Sequence, residues 1–228
     1  MSLSADFAKE VRKIFRETWT TRKGRKVPEP EDLGLGNDAV ELDGTVLYAD
    51  LDDSTNLVDS YKPKFAAEIY KAYLSCAAKV IKSEGGVITS YDGDRIMAVY
   101  IGDSKNTAAA RSALKINYTV SEIINPILKE CYSKTNFRVK QVVGIDTSNL
   151  FVARTGIRKS NDLVWVGRAA NYAAKLCSLS PDYPSGLTAA VYNKLHKSVK
   201  YSDDGRSMWE KFTWNNMAVY RSTWWWKL

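Results

Sequence analysis

The chain has 228 residues, 45% of them apolar and 26% charged, which is ordinary for one globular domain. Its 33 Lys and Arg against 26 Asp and Glu give a net charge of +7, which favours an anionic partner, either a polyphosphate or a nucleic acid. No window approaches about eighteen consecutive apolar residues, and the first residues lack the layout of a secretory signal. We therefore expect a cytoplasmic protein with no stable membrane insertion.

The N-terminal residues, from about Ser4 to Trp19, carry apolar side chains at helical spacing and predict an amphipathic helix. A basic run at 22–26 follows. Because it contains no aromatic residue for base stacking, we interpret it as a solvated hinge and expect no nucleic-acid partner. The chain then divides into an N-terminal helix and basic linker at 1–40 and one domain at 41–228. The main domain or a partner subunit must cover the apolar stripe of the helix.

The main domain is predicted to alternate strands and helices in a mostly antiparallel pattern. The predicted elements, in chain order, are a strand over 45–50, a helix beginning near Ser54, a helix over about 63–82, a hairpin through Asp92-Gly93, a helix from Ser104 towards Cys131, strands over 137–146 and 150–155, a strand into Gly167, a helix over 168–179, a short helix through Asn193, and strands near 210–213 and 217–221. This order predicts an α+β fold of the ferredoxin-like type, with helices packed on the sheet.

Two aspartates stand where apolar strands meet sharp turns. Asp50 ends the segment Val46-Leu47-Tyr48-Ala49, and Asp94 follows Asp92-Gly93. Paired strands would bring the two carboxylates close together, where they repel unless cations lie between them. Divalent metal ions with oxygen ligands are therefore the first hypothesis. The alternative is a hairpin turn with a solvated Asp94 and no chemistry.

Two further segments carry polar groups at helix starts. The helix after Asp50 begins near Ser54 and Thr55, whose backbone N–H groups would suit a phosphate, although either residue could simply cap the helix. After Gly167, Asn171 and Lys175 are four residues apart and project from one helical face. An amide and a cation presented together suit a ribose and a phosphate. The alternative is a helix packed through its alanines with these polar residues merely exposed.

Taken in order, these segments resemble the catalytic domain of class III nucleotidyl cyclases over roughly residues 44–221. The resemblance rests on Asp50 with Thr55, on Gly85-Gly86 followed by Gly93-Asp94, on 144–147, and on Gly167 with Asn171, Ala173 and Lys175. It implies that Asp50, the Leu51 carbonyl and Asp94 bind two Mn²⁺ or Mg²⁺ ions, and that Ser54, Thr55 and Lys211 bind phosphate. Asn171 would orient the ribose, and Lys175 stands where the family usually has an arginine. A homodimer with shared sites is implied as well. An exposed strand lysine is an equal alternative for Lys211.

The usual purine-reading positions of that family hold Ser90 and Val164 here, neither of which fits. Bulky neighbours would shrink the base pocket towards a pyrimidine, namely Tyr48, Tyr91, Arg95 and Trp165, although Trp165 could equally be core. The chain thus looks most like the bacterial pyrimidine cyclases of Pycsar anti-phage defence, which make cyclic UMP or cyclic CMP as a second messenger for a downstream effector. Because uracil presents two acceptors, Arg95 as a donor favours UTP over CTP.

Three alternatives remain open on the sequence. The chain could be an adenylate cyclase with an atypical base pocket, or a catalytically silent homologue that binds nucleotide. A nucleic-acid-binding module rests on the positive charge alone.

Overall fold

The structure is a computed structural model and describes residues 2–228. The helices are α1 (Leu3–Arg16), α2 (Ser54–Ser60), α3 (Pro63–Ser83), α4 (Lys105–Tyr118), α5 (Asn125–Cys131), α6 (Arg168–Leu176) and α7 (Ala189–Asn193). The strands are β1 (Thr20–Lys23), β2 (Asp38–Leu51), β3 (Val87–Asp92), β4 (Arg95–Tyr100), β5 (Gln141–Ile157), β6 (Ser160–Val166), β7 (Ser185–Thr188), β8 (Glu210–Trp214) and β9 (Met217–Ser222). Within the described residues, no helix has both the length and the apolar character needed to cross a bilayer.

All nine strands belong to one sheet, in the order β3-β4-β2-β5-β7-β9-β8. The strand β1 joins it beside β2, and β6 joins it beside β5. Most pairs are antiparallel, whereas β1·β2 and β5·β7 are parallel. This confirms the predicted α+β class, a mixed sheet with helices packed on it.

The two faces of the sheet are covered by different helices, because neighbouring residues of a strand point to opposite sides. On one face, α3 and α4 bury Leu47, Ile96 and Tyr100. On the other, the alanines of α6 pack against Val46 and Leu150. We call this second side the α6 face. Asp50 lies on it, four residues along β2 from Val46.

Several elements differ from the sequence prediction. The strand β2 begins at Asp38 instead of 45, and β5 is one continuous strand instead of two. The first two of the five residues of the basic run are not a hinge, since Arg22 and Lys23 lie in β1 and pair with β2. The proposed boundary at 40/41 therefore falls inside a paired strand, and the division of the chain stays a prediction.

The two ends of the chain also behave unexpectedly. No residue of α1 is buried, and its apolar residues are exposed, Phe7 by 57% and Phe15 by 84%, so the main domain does not cover the stripe. In the C-terminal tail, Trp224 and Trp226 pack against the main core, whereas Trp225 is 45% exposed. The Trp226 backbone N–H donates to the Leu114 carbonyl, and the Trp225 ring lies 5.1 Å from the Tyr118 ring.

Candidate active site

The predicted metal ligand Asp50 lies at one end of a row of charged residues across three strands, with Arg95 at its centre. Asp50 on β2 is directly opposite Arg95 on β4, and Arg95 is directly opposite Asp92 on β3. Residues opposite each other in a sheet point to the same face, so all three side chains lie on the α6 face. The Arg95 Nη2 donates to the Asp50 Oδ2 at 2.7 Å, and only 16% of the Asp50 side chain is exposed.

This surrounding raises the pKa of Asp50 above its ordinary value of 3.8. Burial is the largest cause, and the neighbouring carboxylates Asp94 and Asp92 act in the same direction. The hydrogen bond from Arg95 opposes them without cancelling them. Asp50 is therefore a carboxylate held in an acidic, half-buried place, where its charged form requires a cation nearby.

The donor set fits a hard divalent cation. Asp94 lies in the two-residue turn after Asp92, where Gly93 adopts a φ of 59°, and so comes close to Asp50 at the end of β2. Carboxylate and carbonyl oxygens are the ligands that Mg²⁺ and Mn²⁺ prefer. Over residues 2–228, no group of three or more His, Cys, Asp or Glu side chains is placed to hold a metal ion. The predicted ligands Asp50, Leu51 and Asp94 would thus need further ligands from a bound nucleotide or water.

Two of the predicted base-pocket residues lie beside this row. Tyr48 is two residues before Asp50, is directly opposite Met97, and through it is aligned with Ser90 on β3. Tyr48, Ser90 and Arg95 therefore share the α6 face. The Arg95 Cζ lies 5.8 Å from the centre of the Tyr48 ring, which places the guanidinium between Tyr48 and Asp50.

The other two base-pocket residues lie elsewhere. Trp165 is opposite Val152 on β5, whereas Asp50 is opposite Val142. These two β5 positions are ten residues apart, or about 33 Å along an extended strand. Val164 is exposed, and Trp165 packs against the hydrophobic cluster under α6. The predicted pocket is therefore not assembled within one chain.

The helix α6 presents Asn171 and Lys175 as the spacing predicts. Both are exposed, on the side of the helix opposite Ala169, Ala173 and Leu176, which are buried against the sheet. Among residues 2–228 their side chains make no hydrogen bond or ion pair with Asp50 or Asp94. They are available to something outside their own chain.

A buried ion pair that the sequence analysis missed fixes the start of α6. The Asp146 carboxylate on β5 is fully buried and accepts hydrogen bonds from Arg168 Nε at 3.1 Å and Nη2 at 3.2 Å. The Thr188 hydroxyl on β7 also donates to it. A buried carboxylate needs such partners. The signal in the sequence was an aspartate inside an apolar strand, which calls for an Arg or Lys elsewhere.

The predicted phosphate residues are scattered. Lys211 is exposed on β8, four strands from β2, or about 19 Å. The register aligns it with Leu47, so it lies on the face opposite to Asp50 and cannot join that site within one chain. Ser54 and Thr55 begin the seven-residue α2, after Asp53 with a φ of 58°. Their phosphate role stays a prediction.

Comparison with known proteins gives close relatives. The chain is 53% identical to a uridylate cyclase of Xanthomonas perforans over the whole of both chains. It is 52% identical to a uridylate cyclase of Burkholderia cepacia over 99% of each chain, and 38% identical to one of Rhodovulum sp. over 99% of this chain and 98% of the relative. No protein-family model matches the chain.

Two similar solved structures are cyclases as well. The adenylyl cyclase CyaB from P. aeruginosa superposes with a TM-score of 0.67 at 16% identity, over 81% of this chain and 95% of that one. The guanylyl cyclase Cya2 gives the same score and identity over 81% of this chain and 93% of that one. At this identity the likeness concerns the fold, and it agrees with the expected class III cyclase architecture. With three full-length relatives at 38–53% identity, the chain belongs to the uridylate cyclase family.

Proposed function

We propose that the protein is a phosphorus–oxygen lyase that converts UTP into 3′,5′-cyclic UMP and pyrophosphate, with UTP preferred over CTP. The observation that carries the proposal is the row of Tyr48, Arg95 and Asp50 on one face of the sheet. It puts a hydrogen-bond donor for a base beside a carboxylate suited to metal. Membership in the uridylate cyclase family supports the same activity.

The base preference follows from hydrogen-bonding capacity. Uracil presents the acceptors O2 and O4, and the guanidinium of Arg95 offers only donors. Cytosine presents a 4-amino donor that Arg95 cannot accept. An adenine amine next to apolar Val164 would lose its partner, at a cost of about 1–3 kcal/mol. The aromatic ring of Tyr48 also narrows the space next to the row.

The metal ligands in the proposal are Asp50, the Leu51 carbonyl and Asp94. Two divalent ions bound there, Mn²⁺ or Mg²⁺, would supply a lowered pKa for the ribose 3′-hydroxyl and charge neutralisation for the triphosphate. In the proposed complex, the Asp50 and Asp94 carboxylates lie next to the 3′ oxygen. That oxygen bonds to the α-phosphorus as its proton passes to solvent water, and the bond from the α-phosphorus to the pyrophosphate oxygen breaks.

The remaining roles fall to residues that make no hydrogen bond or ion pair with Asp50 within residues 2–228. Asn171 orients the ribose, and the Lys175 ammonium balances negative charge that develops on the α-phosphate. Lys211, with Ser54 and Thr55, binds the other phosphates. Lys211 lies on the face of the sheet opposite to Asp50, and Trp165 lies far along β5 from Tyr48. These separations support a homodimer in which each site combines residues of both chains.

A direct assay tests the activity. The purified protein is incubated separately with UTP, CTP, ATP and GTP plus Mn²⁺, and the products are separated by chromatography. We expect cyclic UMP as the main product and less cyclic CMP. A cyclic AMP product alone would support an adenylate cyclase with an atypical pocket. Binding without turnover of any of the four would support a silent homologue.

The proposal extends to the cell. We propose that the cyclic nucleotide is a second messenger in defence against phage, read by a downstream effector, as the resemblance to Pycsar cyclases implies. Phage should form fewer plaques on cells that carry the protein with its effector than on cells that carry the Asp94→Ala variant with the same effector. Equal plaque numbers for the two would exclude the defence role and leave the enzymatic activity untouched.

A further inference from the structure

The Asp50 carboxylate forms an ion pair with the side chain of Arg95. The Arg95 Nη2 binds the Asp50 Oδ2 at 2.7 Å, and the pair is partly shielded from water, with 35% of the arginine and 16% of the aspartate side chain exposed. No other cationic side chain among residues 2–228 makes an ion pair with Asp50. The arginine thus balances the charge that divalent ions would otherwise balance.

The same guanidinium is the proposed donor to the base. While its Nη2 is bound to the Asp50 Oδ2, the planar guanidinium is held in the orientation that this carboxylate sets, and only its other donors remain for the base. A divalent ion on Asp50 would also repel it. Tyr48 lies next to it, with 5.8 Å between the Arg95 Cζ and the ring centre, so a guanidinium that leaves Asp50 has an aromatic surface to move onto.

We propose that Arg95 is an internal counterion that exchanges with the divalent ion: without metal it binds Asp50, and metal binding releases it to the uracil base. This rests on the proposed function and deepens it, since metal occupancy and pyrimidine recognition become linked through one side chain. Linkage is reciprocal, so a uracil base that draws Arg95 away from Asp50 strengthens metal binding by the same factor by which metal strengthens base binding.

The first experiment measures Mn²⁺ affinity without nucleotide, from the free Mn²⁺ signal in electron paramagnetic resonance. In Arg95→Met the competitor is gone, and the dissociation constant of Mn²⁺ should fall roughly tenfold. Arg95→Lys, with a shorter cation, should lie between the two. Arg111→Met is the matched control. It removes the same charge from another ion pair of similar exposure, 34%, whose partner Glu84 keeps Lys115. An affinity for Mn²⁺ in Arg95→Met that equals the wild-type affinity overturns the proposal.

The second experiment begins with the wild-type protein. Uridine, which has no phosphate to bind metal, is added to the wild-type protein, and the Mn²⁺ titration is repeated. We expect Mn²⁺ binding to tighten about threefold or more, and this effect to be absent in Arg95→Met. No effect of uridine on the wild type, or an effect that persists in Arg95→Met, contradicts the exchange. Wild-type turnover of UTP is measured in parallel, so that a failure of the exchange is distinguished from a failure of the proposed function.

Discussion

Asp94 is the residue at which the proposed chemistry can be tested with least disturbance to the fold. It lies in the turn between β3 and β4, outside the buried core. We expect Asp94→Ala to lower kcat for UTP by about a hundredfold or more, because a proposed metal ligand is lost. Steady-state kinetics with Mn²⁺ measure it. Asp103→Ala is the control, an exposed carboxylate in the turn after β4 with no proposed role. Equal losses in both variants would contradict the assignment.

The proposed metal-binding carboxylates were easier to predict from the sequence than the side chains that bind them. Asp50 and Asp94 could be found because each follows an apolar strand at a turn. The direction of Arg95 could not, since it depends on the register of a hairpin and on which face of the sheet is buried. In the structure Arg95 binds Asp50. The sequence analysis gave Arg95 one partner, the base, whereas the structure adds Asp50 as a second one.

The contact between α3 and α4 depends on one carboxylate. Glu84, just after α3, accepts from Arg111 at 2.6 Å and binds Lys115 at 2.8 Å, both on α4. Burial alone would raise the pKa of Glu84, but the hydrogen bonds from Lys115 and Arg111 outweigh it and lower the pKa below the ordinary 4.5. A lowered pKa stabilises the fold above the unfolded value and loses that effect as the pH falls through the folded value.

We therefore expect Glu84→Gln to reduce the free energy of unfolding by about 2 kcal/mol at neutral pH, because two cations lose their partner. The difference from wild type should shrink between about pH 5 and pH 3, as the wild-type carboxylate takes up its proton. Urea denaturation across this range measures it. If the difference in unfolding free energy between wild type and Glu84→Gln stays constant with pH, the two helices are held together by packing and not by the charge of Glu84.

A glycine on the sheet allows α6 to pack closely against it. A Cβ at Gly144 on β5 would collide with the carbonyl oxygen of Ala173 and would lie 2.8 Å from the Leu176 Cβ. We expect Gly144→Ala to lower the free energy of unfolding by about 1–3 kcal/mol through overpacking. Gly36→Ala is the control, since a Cβ there comes no closer than 3.8 Å to any atom. If both variants unfold at the same urea concentration, α6 is not closely packed at Gly144.

Long elements with strong periodicity were predictable and short ones were not. The helix α3 lies within a residue of its predicted bounds. The strand β7 was missed because four residues carry little pattern, and its place comes from pairing with β5 and β9. The break predicted near 147–149 is absent because β2 pairs with β5 across those residues, so tertiary pairing overrides the local polar signal.

The proposed dimer makes a prediction about the whole molecule. A variant with Asp94→Ala and another with Asn171→Ala should each be inactive, since each lacks one half of both sites. Mixed subunits would restore one intact site in each mixed dimer, or about a quarter of wild-type activity for an equal mixture at exchange equilibrium. Chromatographic assay of cyclic UMP after mixing measures it. A mixture that stays inactive while size-exclusion chromatography shows subunit exchange would contradict the shared site.

At this scale the fold class was predictable and the chain ends were not. The alternation of strands and helices fixes an α+β sheet. Whether α1 or the tryptophan tail finds a surface depends on tertiary contacts that no local pattern reveals. The tail lies against α4. Among residues 2–228, the side-chain hydrogen bonds that connect α1 to the domain lie at its C-terminal end, where the Asn37 Nδ2 donates to the Ile14 carbonyl at 2.8 Å and the Glu17 carbonyl at 2.7 Å.

The positions on β5 opposite Asp50 and Trp165 are ten residues apart. This offset affects how the rate of synthesis depends on the amount of protein in the cell. If no solitary molecule can complete a site, output per molecule is not constant. At dilutions where subunits separate, the rate of synthesis grows with the square of protein abundance, so halving expression would cut the signal fourfold. Gene copy number and translation would then act as a threshold, silencing a cell that makes too little.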